Sequence, residues 1–297
     1  MGITSEAIVT GLFRYPVKGL RAVAVDAAEV TPTGLRGDRE FAIVGDEGTP
    51  LDQVKWPKLA RIGVDPVGDD QLVFTHPDRA PFTHRPALEG AALEVGVTLD
   101  RVTTVDQGDE AAEWFSGVLG TSARLVRVGD PWVRSVPLEQ FALVDGRPAD
   151  RFTSVAPLLV NNQASLDDLN TRLDVPVPMN RFRMNVVVSG LPAYAEDTIS
   201  TLRGQAVVLD HVTACERCAI ITTDQHTGQR PSKDVIRVLN DYRKKATDRY
   251  TNGLLFGSYM AVSTGGTLRV GERLEVHQSD PPAEPLVLAP RGLDAPD

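Results

Sequence analysis

Apolar residues in this chain come in short runs closed off by glycine, proline and charged turns, the spacing of strands and tight connections rather than of long helices. The run 23–30 (VAVDAAEV) predicts a strand. It is followed by the turn Thr31-Pro32-Thr33-Gly34, then by the charged turn Arg36-Gly37-Asp38-Arg39 and a second strand over 41–44. Short strands are expected at 72–74 and 93–95. Residues 109–119 instead place Ala112, Phe115, Val118 and Leu119 at helical spacing, which completes an amino-terminal lobe near residue 128. A proline-containing stretch over 131–157 precedes a helix expected at 165–173. There Ser165 is the cap, Asp168 reaches back, and Leu166, Leu169 and Leu173 form the apolar stripe. Strands are predicted at 183–189 and 205–213. A helix opens at Pro231-Ser232, with Val235, Ile236, Leu239 and Tyr242 on one face, and two last strands at 259–263 and 268–277 are joined through Gly265-Gly266. After Asp280 the chain turns to proline, alanine and leucine, a segment expected to fray.

These elements predict an α+β, β-rich protein of two lobes, divided as 6–128 and 129–279 with a flexible tail over 280–297. Composition agrees with many short elements: 297 residues, 42% hydrophobic, with 25 glycines and 21 prolines. The net charge of -9 argues against a broad nucleic-acid-binding surface, because phosphate backbones are held by clustered Lys and Arg. The amino terminus lacks a basic segment followed by a long apolar one, and no apolar run approaches the roughly 20 residues that span a bilayer, so no membrane partner and a cytoplasmic location are expected. Neither a Gly-x-Gly-x-x-Gly loop nor a Walker lysine motif occurs, which disfavours nucleotide chemistry. Trp56, Trp114 and Trp132 share no spacing and read as packing residues.

Candidate chemistry concentrates at Cys215-Glu216-Arg217-Cys218, which holds both cysteines of the chain. A thiolate is a strong nucleophile and a soft ligand, and an adjacent guanidinium favours its charged form. Alone, the spacing fits a redox pair, half of a zinc site or two small buried residues. No second Cys-x-x-Cys exists, and His211, His226 and His277 are not at zinc-finger spacing. A single soft-metal thiolate remains open. Glu196 and Asp197 form an acidic pair, but sequence neighbours point apart on regular elements, so a loop-end role is as well founded as acid-base work.

The sequence around the cysteines, Cys-x-Arg-Cys, an apolar pair, Thr-Thr-Asp, then His-Thr-Gly, resembles the MOSC domain family, the carboxy-terminal domain of molybdenum cofactor sulfurase. Within that family it is similar to the mitochondrial amidoxime-reducing components and their bacterial relatives. Tyr15-Pro16-Val17-Lys18-Gly19 and Gly34-Leu35-Arg36-Gly37-Asp38-Arg39-Glu40-Phe41 resemble the amino-terminal MOSC domain. Asn180 to Asn185, Tyr194 to Asp197 and Leu255 to Tyr259 follow in the family order.

The resemblance implies a MOSC β-barrel with flanking helices and a β-barrel-like amino-terminal domain. It implies the molybdenum cofactor (Mo-molybdopterin), with Cys218 as the protein thiolate on the metal. Lys18, Arg39 and Arg183 match positions that hold the phosphate and pterin, by a compact ammonium and by planar guanidinium forks. Asn185 and Thr223 offer amide and hydroxyl groups to the pterin, and Asp224 a carboxylate that orients Arg217 or a substrate. The implied activity is reduction of a small N-oxygenated substrate, with electrons from a separate donor protein. A cofactor carrier or sulfur-transfer module is the alternative, and an inert β-rich binding module the third.

Overall fold

The computed structural model describes residues 4–68, 70–97, 100–129, 134–135, 149–245 and 253–278. Its centre is a closed seven-stranded barrel. Around the barrel run Leu158–Asn162, Val186–Ser189, Thr4–Arg14, Arg273–Gln278, Ile199–Arg203, Val208–Glu216 and Gly253–Thr264, and this last strand pairs back with the first to close the circle. All the pairings are antiparallel except that of Leu158–Asn162 with Val186–Ser189. Alternate side chains point inward, so Ala7 and Val9, Val186 and Val188, Leu274 and Val276, with Leu202, Leu209 and Met260, fill one core. Burying each of the larger side chains is worth about 1.5–3 kcal/mol.

The first strand, Thr4–Arg14, thus lies inside the barrel built from the second half of the chain. Ala27–Thr31 follows the same course, pairing with Gly266–Arg269. The amino-terminal lobe proper has two antiparallel sheets. One is Phe41–Val44, Arg124–Val128, Asp100–Asp106 and Ala92–Val97; the other is Gly63–Val67, Gln71–His76 and Arg79–His84. Helix α1 (Asp109–Leu119) packs against them through Trp114 and Phe115, whose rings meet Phe74 at centroid distances of 6.1 and 5.0 Å. Trp114 Nε1 donates to the Ala80 carbonyl at 2.9 Å; Trp56 is partly buried against the same core, and Trp132 lies outside the described residues.

Several expected elements differ in extent. The strand at 23–30 breaks at Asp26 into Val23–Val25, paired with Thr4–Arg14, and Ala27–Thr31, which leaves for another sheet. The strand at 268–277 is likewise interrupted, since Gly271, at φ +87°, turns the chain from Gly266–Arg269 into Arg273–Gln278. Helix α2 spans Gln163–Thr171, and its cap is Asn162, whose side chain accepts from the Ala164 N–H at 3.4 Å. Ser165 is instead buried inside the helix, donating to Glu196 Oε2 at 2.8 Å, while Asp168 pairs with Arg172 at 3.0 Å. Helix α3 (Asp234–Tyr242) forms where expected, with the Ser232 hydroxyl accepting from the Asp234 N–H at 2.9 Å. Most of 131–157 and the tail over 280–297 lie outside the described residues.

Candidate functional site

A cavity of about 260 Å³ lies where the barrel meets the amino-terminal lobe, and both cysteines reach it. Its construction starts at Tyr15, the residue after the first barrel strand. The Tyr15 N–H donates to Asp38 Oδ1 at 2.6 Å, its hydroxyl donates to the Met184 carbonyl at 3.0 Å, and the ring is fully buried. Two guanidinium groups lie over that ring, Arg39 at 4.7 Å and Arg183 at 4.4 Å from its centroid. Both arginines have left-handed backbones, φ 49° and 57°, unfavourable for a residue with a Cβ. Arg39 Nη1 pairs with Asp38 and donates to Asn185 Oδ1 at 3.1 Å; Arg183 Nη1 donates to the Leu20 carbonyl at 2.8 Å. Asn185 is held in turn, its Oδ1 accepting from the Leu159 N–H at 3.2 Å and its Nδ2 donating to the Phe13 carbonyl at 3.1 Å.

This wall carries more positive than negative charge. Burial, the largest influence, lowers the Arg183 guanidinium to about 10, and the charges of Arg39 and Arg217 push the same way. Burial likewise raises the Tyr15 hydroxyl to about 12. Lys18 lines the same cavity from the amino-terminal lobe, its backbone N–H donating to the Phe41 carbonyl at 2.8 Å.

The cysteines occupy opposite environments. Cys215 is buried near the end of the strand Val208–Glu216, and its sulfur accepts from Arg217 Nη1 at 3.0 Å. Cys218 is exposed on the following loop; its carbonyl accepts from the Ile221 N–H at 3.4 Å, while its thiol makes no hydrogen bond among the described residues. Arg217 is fixed by a second bond, Nη2 to the Phe182 carbonyl at 2.6 Å, while its Nε is buried without a partner. Among the described residues no three His, Cys, Asp and Glu side chains converge as a metal-holding group; of the two cysteines at the cavity, only Cys218 is exposed.

Two of the expected site residues stand outside the cavity. Thr223 is fully buried, and its hydroxyl accepts from Arg230 Nε at 3.0 Å. Asp224 turns back on its own loop, accepting from the His226 and Thr227 N–H groups at 3.0 and 2.8 Å and from Arg181 at 3.3 Å rather than from Arg217. Desolvation, the largest influence on its carboxyl, pushes upward, but the loop hydrogen bonds and Arg181 together hold it below the usual carboxylate range. Glu196 and Asp197 point apart: Glu196 is buried against Ser165, and Asp197 makes two 2.8 Å bonds to Arg243.

Sequence reasoning missed Tyr15 and Asp38 as the supports of the arginines, Tyr259 as a lining residue, and the fastening of the Cys218 loop. That fastening is a reciprocal amide pair: Gln53 Nε2 donates to Gln225 Oε1 at 3.0 Å, and Gln225 Nε2 to Gln53 Oε1 at 2.8 Å. Arg230 adds a bond to the Val54 carbonyl at 2.8 Å, and Arg21 one to the His226 carbonyl at 2.9 Å. Two buried glutamines far apart in the chain were the available signal, since buried amides must find partners.

The MOSC N-terminal beta barrel domain model matches residues 6–122, and the MOSC domain model matches residues 149–275. Over 278 residues the chain is 34% identical to the mitochondrial amidoxime reducing component 2 of Bos taurus, covering 89% of this chain and 81% of that protein. Over 284 residues it is 32% identical to the mitochondrial amidoxime-reducing component 1 of Homo sapiens, covering 89% and 81%. A molybdenum cofactor sulfurase of Caenorhabditis briggsae is 31% identical over 261 residues, which are 86% of this chain and 33% of that protein. The chain belongs to the MOSC family, and it matches the amidoxime-reducing components of that family over most of both lengths.

Proposed function

We propose that the protein is a molybdenum-cofactor-dependent oxidoreductase that reduces N-hydroxylated compounds. In this reading Cys218 and the pterin dithiolene supply the sulfur ligands to the metal, and a separate redox protein supplies electrons. One observation carries it: an exposed, unengaged thiol shares a cavity with a buried wall of guanidinium groups in excess of their carboxylate. Such a donor set suits a ligand with a soft metal at one end and a phosphate at the other. Burial is the main cause of the lowered basicity of Arg183, and an anion placed there would offset that cost. The relatives named for amidoxime reduction support the substrate class, and the nematode sulfurase supports the cofactor.

When bound, the cofactor supplies two-electron removal of oxygen from the N–O bond. The chain's own residues bind and orient. Lys18, Arg39 and Arg183 hold the phosphate and pterin, Asn185 fixes Arg39, and Arg217, held by Cys215 and the Phe182 carbonyl, places a positive charge near Cys218. Thr223 and Asp224 act indirectly, by shaping the loop that presents Cys218. The reaction balances as an N–OH group, two electrons and two protons giving N–H and water. The electron donor is a ferredoxin, a flavoprotein or a cytochrome b5-like protein.

A cofactor carrier or sulfur-transfer module is the second reading, favoured by the match of 86% of this chain to one third of the sulfurase. Expression in a cofactor-competent host separates the two. Molybdenum and pterin are quantified in wild type and Cys218→Ala, and turnover of an N-hydroxylated amidine is followed with a reduced artificial donor. Stoichiometric metal with turnover supports the reductase, and bound metal without turnover supports the carrier. Wild-type protein with neither molybdenum nor pterin overturns both.

A further inference from the structure

A second cavity, of about 240 Å³, lies in the amino-terminal lobe. Three elements contribute to it. The turn Pro57–Arg61 brings Lys58 and Arg61, the hairpin of Gln71–His76 and Arg79–His84 brings His76, Asp78 and Arg79, and helix α1 brings Gly117. Three permanent cations therefore face one carboxylate, in a chain whose net charge is -9. Asp78 is engaged by Arg61 at 2.9 Å, and Lys58 is bonded to the Leu119 carbonyl at the end of α1. The Arg79 backbone pairs with His76 in the hairpin, but its guanidinium has no ionic or hydrogen-bond partner among the described residues; it reaches the cavity and lies against the helix. A Cβ built at Gly117 would stand 1.4 Å from Arg79 Nη1, so an alanine there would push the end of this flexible guanidinium away from its place against the helix. Glycine inside a helix costs about 1 kcal/mol relative to alanine.

We propose that this cavity is an anion site, taking free phosphate or the phosphate group of a small monoester, with Arg79 as its principal ligand. A concave site with cations converging from three elements suits a compact oxyanion better than a flat partner surface. The His76 ring feels the same charges. Burial, the largest influence, holds it below the usual imidazole range, and Arg61, Arg21 and Lys58 push it further down against Asp78. An anion bound there favours the imidazolium, so binding raises the His76 pKa. The site uses no residue of the thiol cavity.

Titration of the His76 ring resonances against inorganic phosphate and glycerol phosphate, at constant ionic strength set with chloride, tests the site in the full chain. The expected result is a saturable rise in the His76 pKa. Affinity should fall about tenfold in Arg79→Ala, as for loss of one charge-assisted hydrogen bond, and be largely kept in Arg79→Lys. Gly117→Ala, which fills the space under the guanidinium while favouring the helix, should weaken phosphate binding without lowering thermal stability. A monoester tighter than free phosphate assigns an organic phosphate, and equal affinities assign the free ion. A ring that does not respond to phosphate overturns the proposal, as does unchanged affinity in both Arg79→Ala and Gly117→Ala.

Discussion

Arg217 is held by the sulfur of Cys215: Nη1 donates to Sγ at 3.0 Å, so the first cysteine of the motif anchors the arginine that precedes the second. Replacing this buried acceptor leaves Arg217 Nη1 without a partner, although Nη2 keeps the Phe182 carbonyl, at a cost of about 1–3 kcal/mol. Cys215→Ala should therefore lower thermal stability and reduce cofactor retention, with Cys215→Ser, which restores an acceptor, nearer wild type. Melting temperature and the metal-to-protein ratio check both.

Cys218 stands in contrast, exposed and unengaged. Cys218→Ala should abolish metal binding and activity while leaving folding stability within about 0.5 kcal/mol of wild type. Denaturant titration beside metal analysis decides it. Equal loss of metal in Cys215→Ala and Cys218→Ala would refute the division of roles between them.

Arg183 is structural as well as charged. Its bond to the Leu20 carbonyl and its contact with the Tyr15 ring mean that Arg183→Met should cost about 1–3 kcal/mol of stability in addition to weakening cofactor retention. Lys18→Ala should affect retention first. Comparison of melting curves with the metal content of the two variants tests the distinction.

Burial raises the Glu196 carboxyl from 4.5 to about 7. A group whose folded pKa lies above its unfolded one contributes stability that is complete below the unfolded value. Here that contribution is complete below 4.5 and is lost as pH rises through about 7. Stability should fall over that window by an amount on the order of 1–3 kcal/mol, and Glu196→Gln should flatten the decline. Urea unfolding at pH 5 and pH 8 reads the difference; equal slopes in both proteins would reject it.

The reciprocal bonds of Gln53 and Gln225 predict coupling. In a double-mutant cycle Gln53→Ala and Gln225→Ala together should destabilise less than the sum of the single changes, by about 1 kcal/mol.

The sequence singled out Cys218, Lys18, Arg39 and Arg183, which line one cavity, because their motifs are contiguous. It did not disclose what supports them, since Tyr15 reaches Met184 and Arg39 reaches Asn185 only through the fold. Thr223 and Asp224 sit in the same motif as Cys218, but a loop needs internal hydrogen bonds, and theirs are used there. The α2 cap was misread for a related reason. A strand runs directly into the helix, so its last residue, Asn162, caps, and Ser165 turns inward to meet a buried carboxylate. The strand Thr4–Arg14 escaped notice because a register shift between Val9 and Gly11 breaks the alternation that periodicity detects.

That same strand sets the order of assembly. Glu6 meets Arg273 across a separation of 267 residues, so barrel closure waits for nearly the whole described chain to be synthesised. The lobe around α1 closes its sheets within residues 41–128 and is free to form earlier, while the leading strand has only Val23–Val25 as a partner from the same half of the chain. The thiol cavity lies between the two, so it comes into being only at that late joining step.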